Sequence, residues 1–206
     1  MTAPAAPVLR HTQFIVRLGE PGDAEGLRTY LLANRSAFAP VEPRRPENFY
    51  SLEFCLMRLA LNRSHYQEGR SVSMLVFEPD NRTVIGTINF TNLVGYPYHG
   101  ATLGYSLAQT HWGRGLMREA LTLTLAWIFE SHNLHRVTAN HLPDNERSAR
   151  LLARLGFRRE GYAPDYLLID GVWRDHVLTA LTSDTWTARD TSAELVWQGT
   201  GRPSPI

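Results

Sequence analysis

Cysteine is almost missing from this chain: one residue, Cys55, stands among 206. A lone thiol excludes an intramolecular disulfide and any cysteine-rich zinc site, and it makes a reducing compartment the easier reading. Long apolar runs are missing too. No stretch approaches the roughly eighteen residues of a membrane span, and residues 1–12 lack the apolar core of a secretion signal. The expectation is therefore a soluble, cytoplasmic protein with no membrane partner. Charge of one sign is not in excess, the formal net charge being +1. That argues against an obligate nucleic-acid coat or specific DNA binding and leaves partners to local patches. Repeats of solenoid period and coiled-coil heptads do not occur. His132 and His135 have no further ligands at suitable spacing, so no metal is expected.

What is present is the composition of one globular domain, 43% hydrophobic and 20% charged, long enough to bury a core without staples. Residues 1–11, rich in proline and alanine, are expected to be loose, and residues 183–206, polar and small, to form a partly disordered tail. Between them, 12–182 reads as a mixed α/β (α+β) domain. Alternating Phe14, Val16 and Leu18 suggest a first strand. A turn follows, with Asp23 as candidate cap of a helix to about residue 35. Three prolines make 40–46 a connector, and a second helix is expected over 47–66 with Leu52, Leu56 and Leu59 on its apolar face. Strand-like runs at 73–78 and 84–93 flank the hairpin turn Pro79-Asp80-Asn81-Arg82. Further strands are expected at 135–142, 166–169 and 172–181, the last two joined by Asp170-Gly171, with a helix at 146–155 ended by Gly156.

The chain is organised around residues 103–117, where an apolar strand runs into Trp112-Gly113-Arg114-Gly115-Leu116-Met117 and a long amphipathic helix begins. Glycines let the backbone approach a ligand closely, and amides at a helix start sit where the macrodipole is positive. Such a corner suits phosphate oxygens. A Walker loop would need Gly-Lys-Ser/Thr, and a dinucleotide fingerprint a third glycine; neither is present.

The corner resembles the pyrophosphate loop of the GCN5-related N-acetyltransferases, Gln/Arg-x-x-Gly-x-Gly/Ala. Gly115 matches strictly, whereas Trp112 and Met117 stand in the first and last positions. A second segment supplies Asn145, Ser148, Gly156 and Phe157, matching the family's Asn-x-x-Ala/Ser and Gly-Phe. Residues 145, 148 and 152 share a helix face by their spacing. Many members carry a tyrosine at the third of these positions that protonates the departing thiolate; this chain has Leu152. The run 151–157, with Glu160-Gly161-Tyr162-Ala163, Asp165-Tyr166 and Trp173-Arg174-Asp175-His176, is similar to the Rim-type ribosomal-protein-alanine N-acetyltransferases.

The resemblance implies a mostly antiparallel sheet of six or seven strands with about four helices. Its central strands are expected to bulge and splay so that the pantetheine arm of acetyl-coenzyme A enters between them. It further implies that the main chains of Tyr105, Ser106 and Leu107 pair with pantetheine and that the amides of Gly113, Arg114, Gly115, Leu116 and Met117 hold the diphosphate; Trp112 beside them either shields that loop or packs in the core. The Leu107 amide would polarise the thioester carbonyl, Asn145 would hold the pantetheine arm, and Ser148 would donate to the sulfur. The implied acceptor is the N-terminal alanine of a ribosomal protein, small-subunit protein five, met on the ribosome or its assembly intermediates.

An α-amine is about a tenth neutral at pH 7 and a lysine about one part in 2,500, a gap of about 3.5 kcal/mol, so a weak base suffices. Candidates are Asp165, Glu160 and His141. Arg147, Arg150 and Arg154 make a stripe that either faces solvent or meets ribose phosphate or RNA. Tyr96, Tyr98 and His99 are candidates for the acceptor groove. Two other functions stay open: acetylation of a small amine such as a polyamine or aminoglycoside, and a ribosome-associated module that binds the coenzyme without turnover.

Overall fold

A computed structural model describes residues 6–187. Eight strands form one sheet in the order β1-β2-β3-β4-β5-β6-β8-β7. They are β1 (Val8–Arg10), β2 (Ile15–Leu18), β3 (Val72–Phe77), β4 (Val84–Val94), β5 (Gly100–Leu107), β6 (Arg136–His141), β7 (Arg158–Ile169) and β8 (Val172–Thr182). The helices are α1 (Ala24–Ala33), α2 (Arg35–Phe38), α3 (Leu52–Gln67), α4 (Leu116–Ser131) and α5 (Glu146–Arg154). Every strand pair is antiparallel except β5–β6.

The two faces of the sheet bury different helices. Leu116, Leu121, Leu125 and Ile128 of α4 pack with Met74, Ile88, Phe90, Leu103 and Val137. On the other face Leu27, Tyr30 and Leu59 of α1 and α3 meet Ile15, Leu75 and Phe77. Alternation along β3 sends Met74 one way and Leu75 the other, which is why that strand is apolar throughout. Among the described residues, no helix is long and apolar enough to cross a membrane.

The mixed fold class stands, with one strand more than expected. Val8–Arg10, within the segment expected to be loose, pairs with 15–17 as an edge strand. Three residues are too few to show an alternation. At the other end, residues 188–206 of the expected tail lie outside the described residues, whereas Ser183 donates its amide to the His135 carbonyl at 2.8 Å. Trp186 donates its indole N–H to the Asn133 carbonyl at 3.2 Å, with its ring 5.2 Å from that of His99.

Three local expectations change. Asp23 makes no side-chain cap to α1; its carboxylate accepts from the Glu20 amide and both Arg17 Nη atoms. The second helix splits into a 3-10 turn, Glu47–Tyr50, and α3, whose first turn Ser51 caps by accepting from the Phe54 amide. The turn resets the helix phase, so Cys55, Leu59 and Tyr66 are buried while Leu52 and Leu56 are 37% and 40% exposed. Finally, β7 begins at Arg158 rather than near 166. It is a sheet edge with water on most of its length, so no apolar pattern marks it, and its register shifts twice, between Arg159 and Gly161 and between Ala163 and Leu167.

Candidate active site

β5 holds β4 without interruption from Gly86↔Leu107 to Thr91↔Thr102, but it holds β6 only at Gly100↔Arg136, Ala101↔Val137 and Thr102↔Thr138. Past Thr102 the parallel strands part. The ladder on the β4 side has its irregularity at the opposite end, between Thr91 and Val94, so the strand splays without the expected bulge beside the gap. Because the Ala108 amide donates to the Ile85 carbonyl at 2.8 Å, antiparallel alternation turns the Ser106 peptide groups toward Thr87. Those of Tyr105 and Leu107 face the gap. Ser106 therefore does not offer its main chain there, and its hydroxyl meets Tyr30 Oη at 2.8 Å and Thr87 Oγ1 at 2.9 Å on the other face. The Leu107 carbonyl is occupied as well, by Trp112 Nε1 at 2.7 Å.

The gap opens into a cleft of about 960 Å³ that runs from the glycine loop to the proline connector. At the loop, Gly113 and Gly115 have φ of +74° and +77°, left-handed values that side chains resist, and a Cβ at either would meet nothing within 4 Å. Gly115 is the residue before α4, so the amides of Leu116 and Met117 have no partner inside the helix. Their side chains are buried with Leu121 in the core. A bulky Met117 thus fits the position where the family has a small residue, because its side chain leaves the loop.

α5 closes the same mouth. Asn145 caps it, Oδ1 accepting from the Ser148 amide at 3.1 Å, so the carboxamide oxygen is engaged while its NH₂ end has no hydrogen-bond partner among the described residues. Ser148 Oγ lies 2.7 Å from Tyr105 Oη, linking α5 to β5. Burial pushes the Tyr105 phenol above its ordinary range, and the Ser148 hydrogen bond draws it part of the way back. Leu152 is fully buried in the core. Of the arginine stripe, Arg147 places its guanidinium 3.4 Å over the Trp112 ring, and Arg150 pairs with Glu146 at 2.7 Å; both, with Arg154, line the cleft.

The three candidate bases are not brought together. His141, the last residue of β6, is buried and lines the cleft. Its Nδ1 sits 2.8 Å from the Leu142 carbonyl, and a carbonyl only accepts, so Nδ1 carries a hydrogen and Nε2 is the ring nitrogen that can hold a lone pair in the neutral form. Glu160 is bound through both oxygens to Arg136, away from the cleft. Asp165 is exposed, its amide donating to Asp175 at 2.9 Å, and it does not line the cleft either. A base at Asp165 or Glu160 is thus unsupported by position. Tyr96, Tyr98 and His99 sit at the opposite end of β5, where His99 packs on Trp186, and they do not line this cleft.

Four cleft residues escaped the sequence reading. His176 on β8 is buried, with Nδ1 3.0 Å from the Arg174 carbonyl. Glu42 and Arg45, 3.7 Å apart in the connector, and Arg58 on α3 line the end remote from the glycine loop. Burial pushes the Glu42 carboxyl upward against the pull of Arg45 and Arg58, and burial lowers Arg58. Only the fold unites these positions; no spacing signals them.

Residues 13–158 match the family model described as the acetyltransferase (GNAT) domain. The ribosomal protein uS5-alanine N-acetyltransferase of Escherichia coli is 45% identical over 175 residues, which is 85% of this chain and 90% of that protein. Among solved structures, the ribosomal-protein-S5-alanine acetyltransferase of Vibrio fischeri superposes with a TM-score of 0.85 at 36% identity, covering 88% of this chain and 99% of that one. RimJ of Mycobacterium smegmatis, in complex with CoA-disulfide, gives 0.79 at 27% identity, covering 86% and 87%.

Proposed function

Because this chain belongs to the GNAT acetyltransferase family, we propose that it moves the acetyl group of acetyl-coenzyme A to the N-terminal alanine amine of ribosomal protein uS5, by direct attack in a ternary complex. The observation that carries the chemistry is the parting of β5 from β6 beside the two-glycine corner. The acceptor rests on likeness to the uS5-alanine enzyme.

In this reading the Tyr105 peptide groups take the pantetheine as an added strand, and the Leu107 amide is left for the thioester carbonyl. The amides from Gly113 to Met117 hold the diphosphate at the positive end of α4, with Arg114 and the Trp112–Arg147 stack beside it. The Leu107 amide stabilises the oxyanion as the amine adds to the thioester carbon. Asn145 donates its free NH₂ to the pantetheine arm. His141 Nε2, directly or through one water, takes the proton that the amine sheds. Ser148 gives a hydrogen bond to the sulfur as the C–S bond breaks. The C–N bond formed replaces the C–S bond lost, and coenzyme A leaves as the thiol.

A polyamine acceptor suits this cleft poorly. Among the described residues lining it, Glu42 is the one acid, against Arg45, Arg58, Arg114, Arg118, Arg147, Arg150 and Arg154. Mass spectrometry of small-subunit proteins from cells with and without the gene tests the substrate: uS5 is expected to lose its N-terminal acetyl group on deletion. An unchanged mass would remove that assignment. With purified protein, His141→Gln is expected to cut kcat by roughly 10- to 100-fold on an Ala-starting peptide.

A further inference from the structure

Resting on the reading just given, we propose that the Tyr105 side chain positions the Ser148 hydroxyl and recharges it with a proton, acting as the far end of a two-hydroxyl relay to the departing sulfur. Ser148 Oγ has one hydrogen and two lone pairs. Left to itself on α5, a serine rotates that hydrogen toward a carbonyl of the preceding turn. The two hydroxyl oxygens lie 2.7 Å apart, a contact in which either can donate; in the proposed relay Tyr105 Oη is the donor, filling a lone pair of Ser148 Oγ and leaving the serine hydrogen free for the cleft. Both side chains line that cleft, and Leu152, buried in the core, supplies no hydroxyl in their place.

The proton inventory closes. As the tetrahedral intermediate collapses, the C–S bonding pair goes to sulfur, which takes the Ser148 hydrogen. Ser148 oxygen takes the hydrogen of Tyr105, and the phenolate is reprotonated by water in the open cleft. Meanwhile the amine proton leaves through His141, so no net charge accumulates on the enzyme. A neutral phenol is required at the start. A tyrosine of ordinary pKa, about 10, already meets that requirement at neutral pH, and burial moves Tyr105 further in the same direction.

The test measures free thiol release, which every amine acceptor produces alike. Tyr105→Phe is expected to lower kcat about tenfold while leaving the KM for acetyl-coenzyme A within about twofold. Tyr105→Phe/Ser148→Ala is expected to be no slower than Ser148→Ala alone, since two members of one relay are not additive. Replacing Tyr105 by 3,5-difluorotyrosine, a more acidic phenol of similar shape, should bring the alkaline fall of kcat to lower pH, a shift that a packing role does not produce. An unchanged kcat in Tyr105→Phe, or fully additive losses in the double variant, overturns the relay while the acetyltransferase reading stands. A wild-type protein that releases no thiol with any amine overturns both.

Discussion

Single atoms decide how tightly the sheet holds beside the cleft. A Cβ added at Gly86 would lie 2.7 Å from the Ser106 carbonyl oxygen, backbone that has no room to yield without moving β4 from β5. Gly86→Ala is therefore expected to cost about 1–3 kcal/mol of stability. It should also weaken acetyl-coenzyme A binding, because β5 carries the peptide groups that face the gap; thermal unfolding and a coenzyme titration read the two effects. Glu42 gives the opposite sign. Its carboxyl is raised in the fold, so its contribution to stability is complete below the unfolded pKa and is lost as pH rises through the folded one. Glu42→Gln should accordingly raise the Tm at pH 8 and leave it nearly unchanged at pH 4. Resemblance to the family motif marked Asn145 and Ser148, whose spacing puts them on one helix face, and the strand-to-helix corner exposed the two glycines of the loop. Neither could expose Glu42 or the Tyr105–Ser148 hydroxyl pair, whose members meet across 43 positions of chain.

At the scale of elements, α5 separates capping from ligand contact. Asn145→Ala removes the acceptor for the Ser148 amide and is expected to cost about 1 kcal/mol of stability. Asn145→Asp keeps that acceptor but lacks the NH₂ group. Its Tm should stay close to wild type while the KM for acetyl-coenzyme A rises; equal KM values would assign Asn145 to the helix cap alone. Elements with one wet and one dry face were legible from their periodicity, as α4 was. β7 was not, because a strand at the sheet edge with most of its side chains in water carries Arg158, Arg159 and Glu160 as readily as apolar residues. The loss of phase at Ser51 misplaced the apolar face of α3 for a related reason: a 3-10 turn and an α-helix in series do not share one period.

Seen whole, the molecule is two half-sheets. β1 to β5 form one ladder and β6, β8 and β7 another, and three residue pairs of β5 and β6 join them. Acetyl-coenzyme A at a hundred times its Kd is expected to stabilise the fold by about 2.7 kcal/mol. Hydrogen exchange should slow most at Tyr105, Leu107 and Ala139 to His141 rather than in the hairpin of β7 and β8. Uniform slowing across the chain would argue that the gap is not where the ligand lies.

The short seam between the half-sheets has a final consequence for turnover. With the coenzyme in the place proposed above, departure of the spent thiol would remove the hydrogen bonds that bridge β5 to β6, so each cycle would end with the gap unbridged again. Substitutions that lengthen the β5–β6 ladder past Thr102 would make a sturdier protein that no longer lets its carrier in.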